Sequence, residues 1–365
     1  MTAPHSHAHG HPGGEAPKEA QLRLVAWEIT RNCNLSCVHC RAAATHGPYK
    51  GELDTAACRR LLDEIRELGT PIVILTGGEP MMRSDIYEVA RYGNDLGLRM
   101  VMAPNGTLIT AESARALLDA GIRRISVSLD GATAEKHDAF RGVQGAFDRA
   151  LAGIRHAREA GLEFQINTTI TQVNLDEMPA IQKMAESVGA VAHHIFLLVP
   201  TGRGKEIAEQ AINAAQYEEA LNWFYDQRDE TDLQLKATCA PHYYRILRQR
   251  AKADGKKVTF ESHGLDAVTR GCLGGTGFCF ISHRGIVQPC GFLELNCGDV
   301  TQTPFPEIWR NSEIFQNLRD YDKLTGKCGR CEYRKVCGGC RARAYEATGD
   351  YMAEEPLCTY QPACN

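Results

Sequence analysis

The sequence predicts an α/β protein in which a partial (β/α)6 TIM barrel is followed by a C-terminal cysteine-rich module. Strand-like and helix-like segments alternate from residue 22 to about residue 200 with short connections, a pattern typical of a parallel sheet with right-handed crossovers. Eight such repeats would close a barrel, so six predict an open one. Cysteines are absent from residues 59–238, whereas ten of the fifteen lie from Cys272 to Cys364, which indicates a second unit.

The apolar pattern predicts each element of the barrel in turn. Strands are predicted over residues 22–29, 72–75, 98–103, 125–129, 164–170 and 194–199, and helices over 55–68, 85–96, 111–120, 146–160 and 175–188. The first helix illustrates the argument, because Leu61, Leu62 and Ile65 recur at helical spacing and Gly69 ends the run.

Composition divides the 365 residues into four segments. Residues 1–20 form a His-rich tail that we expect to be disordered. Residues 21–205 form the barrel, 206–265 a mostly helical bridge and 266–365 the cysteine-rich module. The net charge of −4 argues against general nucleic-acid binding. Neither a signal-peptide pattern nor an apolar run of about 18 residues occurs, so we expect no membrane contact and a cytoplasmic location.

Polar and glycine-rich groups follow the predicted strands at their carboxyl ends. A cysteine loop follows the first strand, residues 77–80 follow the second, Asn105 follows the third, and Ser128 and Asp130 end the fourth. The carboxyl ends of parallel strands meet at one rim, where chemistry gathers in such folds. We therefore expect these groups to lie close together.

The loop after the first strand carries Cys33, Cys37 and Cys40 in a C-x3-C-x2-C pattern. Three thiolates leave one iron of a [4Fe–4S] cube without a protein ligand, so a small molecule can bind there. A structural zinc site is the alternative, although such sites are normally closed by four ligands in paired C-x2-C units. The pattern and its place after a strand resemble the signature of radical S-adenosylmethionine (SAM) enzymes.

This resemblance covers roughly residues 24–200 and implies a set of SAM contacts. In the family, SAM binds the open iron through its amino and carboxylate groups, and a Gly-Gly-Glu-Pro motif lies beside the amino group. Glu79 would accept a charged hydrogen bond there. The implied SAM-binding residues are Gly77, Gly78, Glu79, Pro80, Asn105, Ser128, Asp130 and Arg141, of which Arg141 resembles a family arginine that meets the SAM carboxylate.

Eight cysteines of the C-terminal module have a spacing that resembles the SPASM module of radical SAM maturases. Their paired C-x2-C units also suit zinc, so that alternative stays open. The resemblance implies an auxiliary [4Fe–4S] cluster held by Cys328, Cys331, Cys337 and Cys358. A second cluster on Cys272, Cys279, Cys290 and Cys340 is left open, because two residues rather than three separate Cys337 from Cys340.

Residues 238–245 and 270–280 extend the resemblance to tetrapyrrole-modifying radical SAM enzymes, most closely to the heme b synthases of the siroheme-dependent pathway. This implies that a 5′-deoxyadenosyl radical takes hydrogen from a propionate β-carbon of Fe-coproporphyrin III. Loss of CO2 and one electron then leaves a vinyl group, and two such reactions give heme b. The implied partners are the iron porphyrin and a low-potential electron donor such as ferredoxin or flavodoxin, with an auxiliary cluster accepting the later electron.

Other functions stay open at this point. They are a didecarboxysiroheme deacetylase, a heme d1 maturase, a SPASM peptide maturase, and a non-catalytic zinc or iron–sulfur binding protein. Porphyrin carboxylates need cationic partners. The candidates are Arg203, Lys205, His194 and Arg245, with His242 as a candidate ligand of the porphyrin iron.

Overall fold

The computed structural model describes residues 20–263 and 265–363, so the predicted His-rich tail lies outside the described residues apart from Ala20. The strands are β1 (Leu24–Thr30), β2 (Ile72–Gly77), β3 (Arg99–Met102), β4 (Arg124–Ser128), β5 (Glu163–Ile170), β6 (Ala192–Leu197), β7 (Gln234–Thr238), β8 (Phe278–Ile281), β9 (Ile286–Gln288) and β10 (Gly298–Asp299). They form one sheet in the order β10-β9-β8-β1-β2-β3-β4-β5-β6-β7. The strands from β8 through β7 run parallel, and β9 and β10 add an antiparallel edge.

The α-helices alternate with these strands along the barrel and dominate the bridge. They are α1 (Thr55–Glu67), α2 (Ile86–Asp95), α3 (Ala111–Asp119), α4 (Ala134–Arg141), α5 (Ala146–Glu159), α6 (Met178–Val188), α7 (Ala214–Asp226), α8 (His242–Ala253), α9 (Phe260–His263), α10 (Leu265–Val268), α11 (Phe305–Asn311), α12 (Glu313–Arg319), α13 (Gly326–Arg330) and α14 (Arg341–Thr348). In the described part of the chain, no helix combines the length and the apolar character needed to cross a bilayer.

The predicted fold class is confirmed, since β1 to β6 are the six predicted strands with ends displaced by at most two residues. The five predicted barrel helices are also present, and a 3-10 turn at Leu175–Glu177 precedes the last of them. Buried apolar side chains on one stripe of each helix explain this agreement, as Leu61, Leu62 and Ile65 of α1 are all at most 2% exposed.

Two strands extend the sheet beyond the predicted six. β7 lies inside the segment predicted as a mostly helical bridge and pairs in parallel with β6. β8 begins the C-terminal module and pairs in parallel with β1. The sequence gives β7 only a short, weakly apolar run that contains Lys236, so hydrophobic periodicity did not reveal it. The barrel sheet therefore continues directly into the cysteine-rich module.

The two faces of the barrel sheet differ in polarity. Val127 of β4 is fully buried in the main hydrophobic core, and the barrel helices contact this side of the sheet. On the opposite face the strand register aligns Ser128, Asn167, His194 and Lys236 across β4, β5, β6 and β7. These four residues, which we call the polar row, are partly exposed. A polar, open inner face is suited to a polar ligand.

Candidate cluster and cofactor site

The cysteine loop leaves the carboxyl end of β1 and brings the predicted triplet together. Cys33 and Cys37 are buried, and Cys40 is half-buried beside them in one packed cluster. Burial, with smaller contributions from the neighbouring Glu79 and Cys37, raises the pKa of the Cys33 thiol to about 12, although the Leu35 N–H opposes the shift. Such thiols ionise only when a cationic centre such as iron stabilises the thiolate.

Donors point at all three sulfur atoms of the loop. The backbone N–H groups of Leu35 and Ala44 donate to the Sγ atoms of Cys33 and Cys40, each at 3.4 Å. The Arg141 guanidinium donates to Cys37 Sγ at 3.6 Å. N–H···S hydrogen bonds of this kind stabilise the thiolates that hold iron–sulfur clusters.

Arg203, which follows β6, holds the cysteine loop from the far side of the barrel. Its Nε donates to the carbonyl oxygen of Cys37 at 2.9 Å and its Nη1 to that of Ala44 at 2.8 Å. Its backbone N–H donates to the carbonyl oxygen of Cys40 at 3.0 Å. Arg203 was a candidate partner of the porphyrin carboxylates. Two of its side-chain nitrogens are engaged with the loop, and Nη2 has no hydrogen-bond partner among the described residues. The sequence analysis missed this supporting role because it depends on a contact across 166 positions of the chain.

The Gly-Gly-Glu-Pro motif follows β2 and packs against the base of the cysteine loop. A Cβ atom on Gly77 would lie 2.2 Å from the carbonyl oxygen of Thr30, and one on Gly78 would lie 2.4 Å from that of Asn32. Both oxygens belong to backbone that cannot move without displacing the loop. The two glycines therefore permit close approach of the two rim loops, and Pro80 begins the short 3-10 turn that follows.

Glu79 is fully buried behind the cysteine loop. Its Oε2 accepts a hydrogen bond from the backbone N–H of Asn105 at 2.6 Å, and its Oε1 accepts one from Met81 at 2.9 Å. Burial raises the pKa of this carboxyl to about 7, although the two N–H donors oppose the shift. No cation pairs with Glu79 among the described residues. The carboxyl is therefore placed to receive a cationic or hydrogen-bonding ligand group.

Asn105 and Ser128 end on the same rim. The Asn105 side-chain amide donates to Asn34 Oδ1 at 2.7 Å, and Asn34 in turn donates to Thr107 Oγ1 at 2.8 Å. Asn34 lies between the first two loop cysteines, so this network fixes the loop against the end of β3. Ser128 is the last residue of β4 and belongs to the partly exposed polar row.

Asp130 and Arg141 form a buried ion pair behind Cys37. Asp130 Oδ1 also accepts from the backbone N–H of Thr169 at 2.7 Å. Burial lowers the pKa of Arg141, but the carboxylate of Asp130 and the thiol of Cys37 outweigh it and keep the pKa above its usual value. The Arg141 Nε atom has no hydrogen-bond partner among the described residues. One guanidinium donor is thus buried without a partner beside the cysteine loop.

The four cysteines predicted to hold an auxiliary cluster line one cavity in the C-terminal module. They are Cys328, Cys331, Cys337 and Cys358. Backbone N–H groups donate to three of their sulfur atoms, from Glu355 to Cys328, from Tyr333 to Cys331 and from Gly339 to Cys337, at 3.4–3.5 Å. This cavity, the auxiliary cavity, also contacts Arg245 and His242.

The second predicted set is brought together only in part. Cys290 and Cys340 belong to one packed cluster with Cys239, and Cys272 is an electrostatic neighbour of all three thiols. Cys279 lies apart from them, because it sits on β8 with a fully buried side chain in the main hydrophobic core. Sequence spacing did not point to Cys239, which precedes Cys272, the first cysteine of the module, by 33 positions.

The donor sets fit iron–sulfur clusters, because thiols gather in separate groups and N–H donors face their sulfur atoms. Within residues 20–263 and 265–363, no three Cys, His, Asp or Glu side chains converge closely enough to hold a single metal ion.

The remaining candidate partners of the porphyrin have varied surroundings. Arg245 is buried and pairs with Glu218, and exposed Lys205 pairs with Glu346 at 3.0 Å. His242 is fully buried beside the auxiliary cavity, and both its ring nitrogens lack a partner among the described residues. This placement does not fit the predicted porphyrin-iron ligand. His194 lies in the polar row, where its Nδ1 meets Gln165 Nε2 at 2.9 Å.

Known proteins match both halves of this arrangement. Residues 27–185 match the model of the radical SAM superfamily, and residues 272–340 match that of the SPASM iron–sulfur cluster-binding domain. An AdoMet-dependent heme synthase of Nitratidesulfovibrio vulgaris is 59% identical over 96% of this chain and 97% of its own. An Fe-coproporphyrin III synthase of Methanosarcina barkeri is 31% identical over 92% of this chain and 87% of its own.

The fold has solved counterparts as well. The crystal structure of Streptococcus suis SuiB bound to its precursor peptide SuiA superimposes with a TM-score of 0.74 over 93% of this chain and 76% of that one, at 16% identity. The barrel, the cysteine loop and the matched models identify a radical SAM enzyme with a SPASM module, which uses SAM and [4Fe–4S] clusters. Within that class, the chain belongs to the family of the AdoMet-dependent heme synthases (AdoMet is another abbreviation of SAM).

Proposed function

We propose that this enzyme converts two propionate side chains of Fe-coproporphyrin III into vinyl groups and so forms heme b. Each conversion removes one hydrogen atom, one molecule of CO2 and one further electron from the porphyrin. The observation that carries the proposal is the presence of two separate sets of thiols in a chain that is 59% identical to a heme synthase. The thiols of the cysteine loop would hold the cluster that generates the radical. The thiols of the auxiliary cavity would hold a cluster that accepts the further electron.

The residues of the rim have defined roles in this proposal. When bound, SAM and its cluster supply a 5′-deoxyadenosyl radical, and an auxiliary cluster supplies a one-electron acceptor. Cys33, Cys37 and Cys40 would hold the first cluster. Glu79 would accept a hydrogen bond from the amino group of SAM, and the free Nε donor of Arg141 would face its carboxylate.

The close packing of the rim loops supports these roles. Gly77 and Gly78 bring the loop that carries Glu79 within hydrogen-bonding distance of the cysteine loop, since Glu79 N donates to the carbonyl oxygen of Asn32 at 2.7 Å. Such contact fixes the carboxyl beside the cysteine loop before any ligand binds. A preorganised site loses less conformational entropy when SAM binds.

For the substrate, the inner face of the barrel offers an unpaired cation. Lys236 of the polar row has no ion-pair partner within 4 Å among the described residues. Burial lowers the pKa of its amine, and the more distant carboxylate of Asp266 opposes this shift only in part. A half-buried ammonium that no carboxylate contacts directly gains from a carboxylate ligand. We propose that Lys236 binds a carboxylate of the porphyrin and that the neighbouring His194 borders the same site.

An anaerobic assay with SAM, a low-potential reductant and either of two tetrapyrroles tests the proposal. Fe-coproporphyrin III should give heme b by way of an intermediate in which only one of the two reacting propionates has become a vinyl group. CO2 and 5′-deoxyadenosine should form alongside both products. Didecarboxysiroheme should be left unchanged. Turnover of didecarboxysiroheme, with Fe-coproporphyrin III untouched, would contradict the substrate assignment while leaving the radical chemistry intact.

A further inference from the structure

The auxiliary cavity is more accessible from solvent than the cysteine loop of the barrel. Three of its four cysteines are partly exposed, and only Cys337 is buried. In the cysteine loop, by contrast, Cys33 and Cys37 are both buried, with 7% and 8% of their surface exposed. A cluster in the auxiliary cavity is therefore the easier of the two for an outside protein to approach.

The chain beside this cavity is cationic, although the protein as a whole carries a net charge of −4. Residues 327–337, which we call the basic segment, contain a single carboxylate, that of Glu332. The same eleven positions carry the four cations Lys327, Arg330, Arg334 and Lys335. The surface around the auxiliary cavity is thus opposite in sign to the net charge of the protein.

Two cations of the basic segment line the auxiliary cavity itself. They are Lys327 and Arg334, and Arg245 of α8 joins them there. Lys327 Nζ donates to the carbonyl oxygen of Cys358 at 2.8 Å, and Arg334 pairs with Asp322 at 3.0 Å. Cations in this position offset the negative charge of a cluster that four thiolates hold. An internal role therefore accounts for these two side chains.

Arg330 and Lys335 have no comparable internal role. Both are exposed, and neither lines the cavity. Neither side chain has an ion-pair or hydrogen-bond partner among the described residues. In sequence, Arg330 directly precedes Cys331, and Lys335 stands two positions before Cys337. Two unpartnered cations thus lie at the surface beside the segment that carries the auxiliary thiols.

Two aromatic rings border the same cavity. Tyr333 of the basic segment and Tyr360 both line it, and their ring centroids lie 5.5 Å apart. Both residues are partly exposed. The Tyr360 hydroxyl donates to Glu332, which engages the one carboxylate of the basic segment. Aromatic residues at the centre with charged residues at the rim are typical of protein–protein interfaces.

We propose that the basic segment, together with Tyr333 and Tyr360, docks an acidic one-electron redox protein that removes electrons from the auxiliary cluster. This rests on the electron-accepting role proposed above for the auxiliary cavity. Each of the two propionates releases one further electron, so a one-electron acceptor has to be discharged between them. In each transfer the cluster loses one electron, and the redox protein gains it.

Charge complementarity identifies the kind of partner. Exposed cations attract an acidic surface, speed the encounter and orient the two proteins, and the attraction is greatest at low salt. Electron-transfer complexes are among the smallest protein interfaces, since their partners separate after each transfer. A short basic segment around two aromatic rings suits such a brief contact.

Rapid anaerobic mixing of the reduced holoenzyme with an oxidised, acidic flavodoxin tests the docking surface without SAM or porphyrin. Each flavin should take one electron from a cluster and one proton from water, and the absorbance of its semiquinone measures the rate. The rate should fall as ionic strength rises, because salt screens the attraction between exposed charges. A rate that is independent of salt, or that rises with salt as for two proteins of like net charge, would overturn the proposal.

Reversal of the two exposed cations locates the docking surface. Arg330→Glu combined with Lys335→Glu should slow electron transfer to flavodoxin roughly tenfold at low ionic strength. Titration calorimetry of the two oxidised proteins should show a parallel loss of affinity. The matched control combines Arg60→Glu and Lys183→Glu, which reverse two exposed cations on α1 and α6. It should react within about twofold of the wild-type rate.

Uncharged riboflavin distinguishes weaker docking from damage to the cluster. It should oxidise the Arg330→Glu/Lys335→Glu protein as fast as the wild type, because an uncharged acceptor is not steered by these cations. Equal rates with flavodoxin in this variant and the wild type would overturn the proposal. A loss of rate that is the same for flavodoxin and riboflavin would also overturn it, since the substitutions would then act on the cluster. No tetrapyrrole takes part, so failure here is distinct from failure of the proposed decarboxylation.

Discussion

Glu79 Oε2 accepts a hydrogen bond from the backbone N–H of Asn105 at 2.6 Å, which joins the loop after β2 to the loop after β3. The Asn105 side chain continues the connection to Asn34 inside the cysteine loop. One carboxyl thus couples three rim loops around the position proposed for SAM. Because Glu79 is buried without a cationic partner among the described residues, its ionisation should depend on what binds there.

SAM binding should strengthen as pH rises through the pKa of Glu79. Burial raises that pKa to about 7 in the free protein, and the ionised carboxylate is the stronger acceptor for the SAM amino group. Only the ionised fraction binds well, so affinity measured by anaerobic equilibrium dialysis should be roughly tenfold weaker at pH 6 than at pH 8.

Glu79→Gln is the matched control for this pH dependence. The amide keeps the size and one acceptor but cannot ionise, so SAM should bind roughly 10- to 100-fold more weakly at pH 8. The SAM affinity of the wild type should therefore change in a step near pH 7, and that of Glu79→Gln should lack this step. Identical profiles would show that the carboxyl does not contact SAM.

Removal of the Arg203 side chain should loosen the SAM cluster. Arg203→Ala removes one donor from the carbonyl oxygen of Cys37, which keeps the Cys40 N–H, and leaves the buried carbonyl oxygen of Ala44 without a donor, at a cost of about 1–3 kcal/mol. Iron should therefore leave the cysteine loop roughly tenfold faster in the presence of a chelator. The bleaching of cluster absorbance under anaerobic conditions measures this rate.

Lys205→Ala provides the control for the loop experiment. Lys205 lies two positions away, but its amine is exposed and pairs with Glu346. Exposed ion pairs contribute about 0–1 kcal/mol, so this variant should lose iron at the wild-type rate. Equal rates in Arg203→Ala and the wild type would mean that the contacts of Arg203 do not stabilise the cluster site.

Loss of an auxiliary ligand should separate SAM cleavage from product formation. Cys331→Ala removes one thiol from the auxiliary cavity and leaves the SAM loop untouched. Some 5′-deoxyadenosine should still form, whereas heme b formation should fall by more than about 100-fold because the further electron has no acceptor. Normal decarboxylation in this variant would exclude the acceptor role. Cys58→Ala, at a buried position of α1, should behave as the wild type.

Replacement of Lys236 should weaken porphyrin binding alone. Lys236→Met keeps the length of the side chain but removes the charge, so Fe-coproporphyrin III should bind roughly 10- to 100-fold more weakly in a titration of its Soret band. Affinity for SAM should stay unchanged. Lys183→Met on the exposed side of α6 is the control. Equal porphyrin affinity in all three proteins would remove Lys236 from the proposed site.

The barrel could be predicted from sequence because its elements bury regular apolar stripes. The rim residues could be placed because motifs such as Cys33–Cys37–Cys40 and Gly77–Gly78 follow strands directly, and parallel strands bring their ends together. β7 escaped prediction because Lys236 interrupts a run of only five residues, and its strand character depends on pairing with β6. The strand conformation of that segment therefore depends on pairing with a neighbouring strand rather than on local propensity.

The cysteine sets show where sequence spacing fails. Cys328, Cys331 and Cys337 lie close in sequence and in space, so spacing predicted their shared cavity. Cys279 is also close in sequence to Cys272, but strand geometry turns its side chain into the apolar core. Cys239 packs with Cys290 and Cys340 only because β7 ends beside the module. Long-range contacts of this kind are set by the fold and leave no local pattern.

The most direct measurement follows hydrogen from the porphyrin into the SAM product. Fe-coproporphyrin III deuterated at the propionate β-carbons should transfer one deuterium atom to 5′-deoxyadenosine for each CO2 released. Mass spectrometry of both products should give two labelled 5′-deoxyadenosine molecules for each heme b formed. Unlabelled 5′-deoxyadenosine alongside heme b, or labelled 5′-deoxyadenosine without release of CO2, would contradict oxidative decarboxylation by this enzyme.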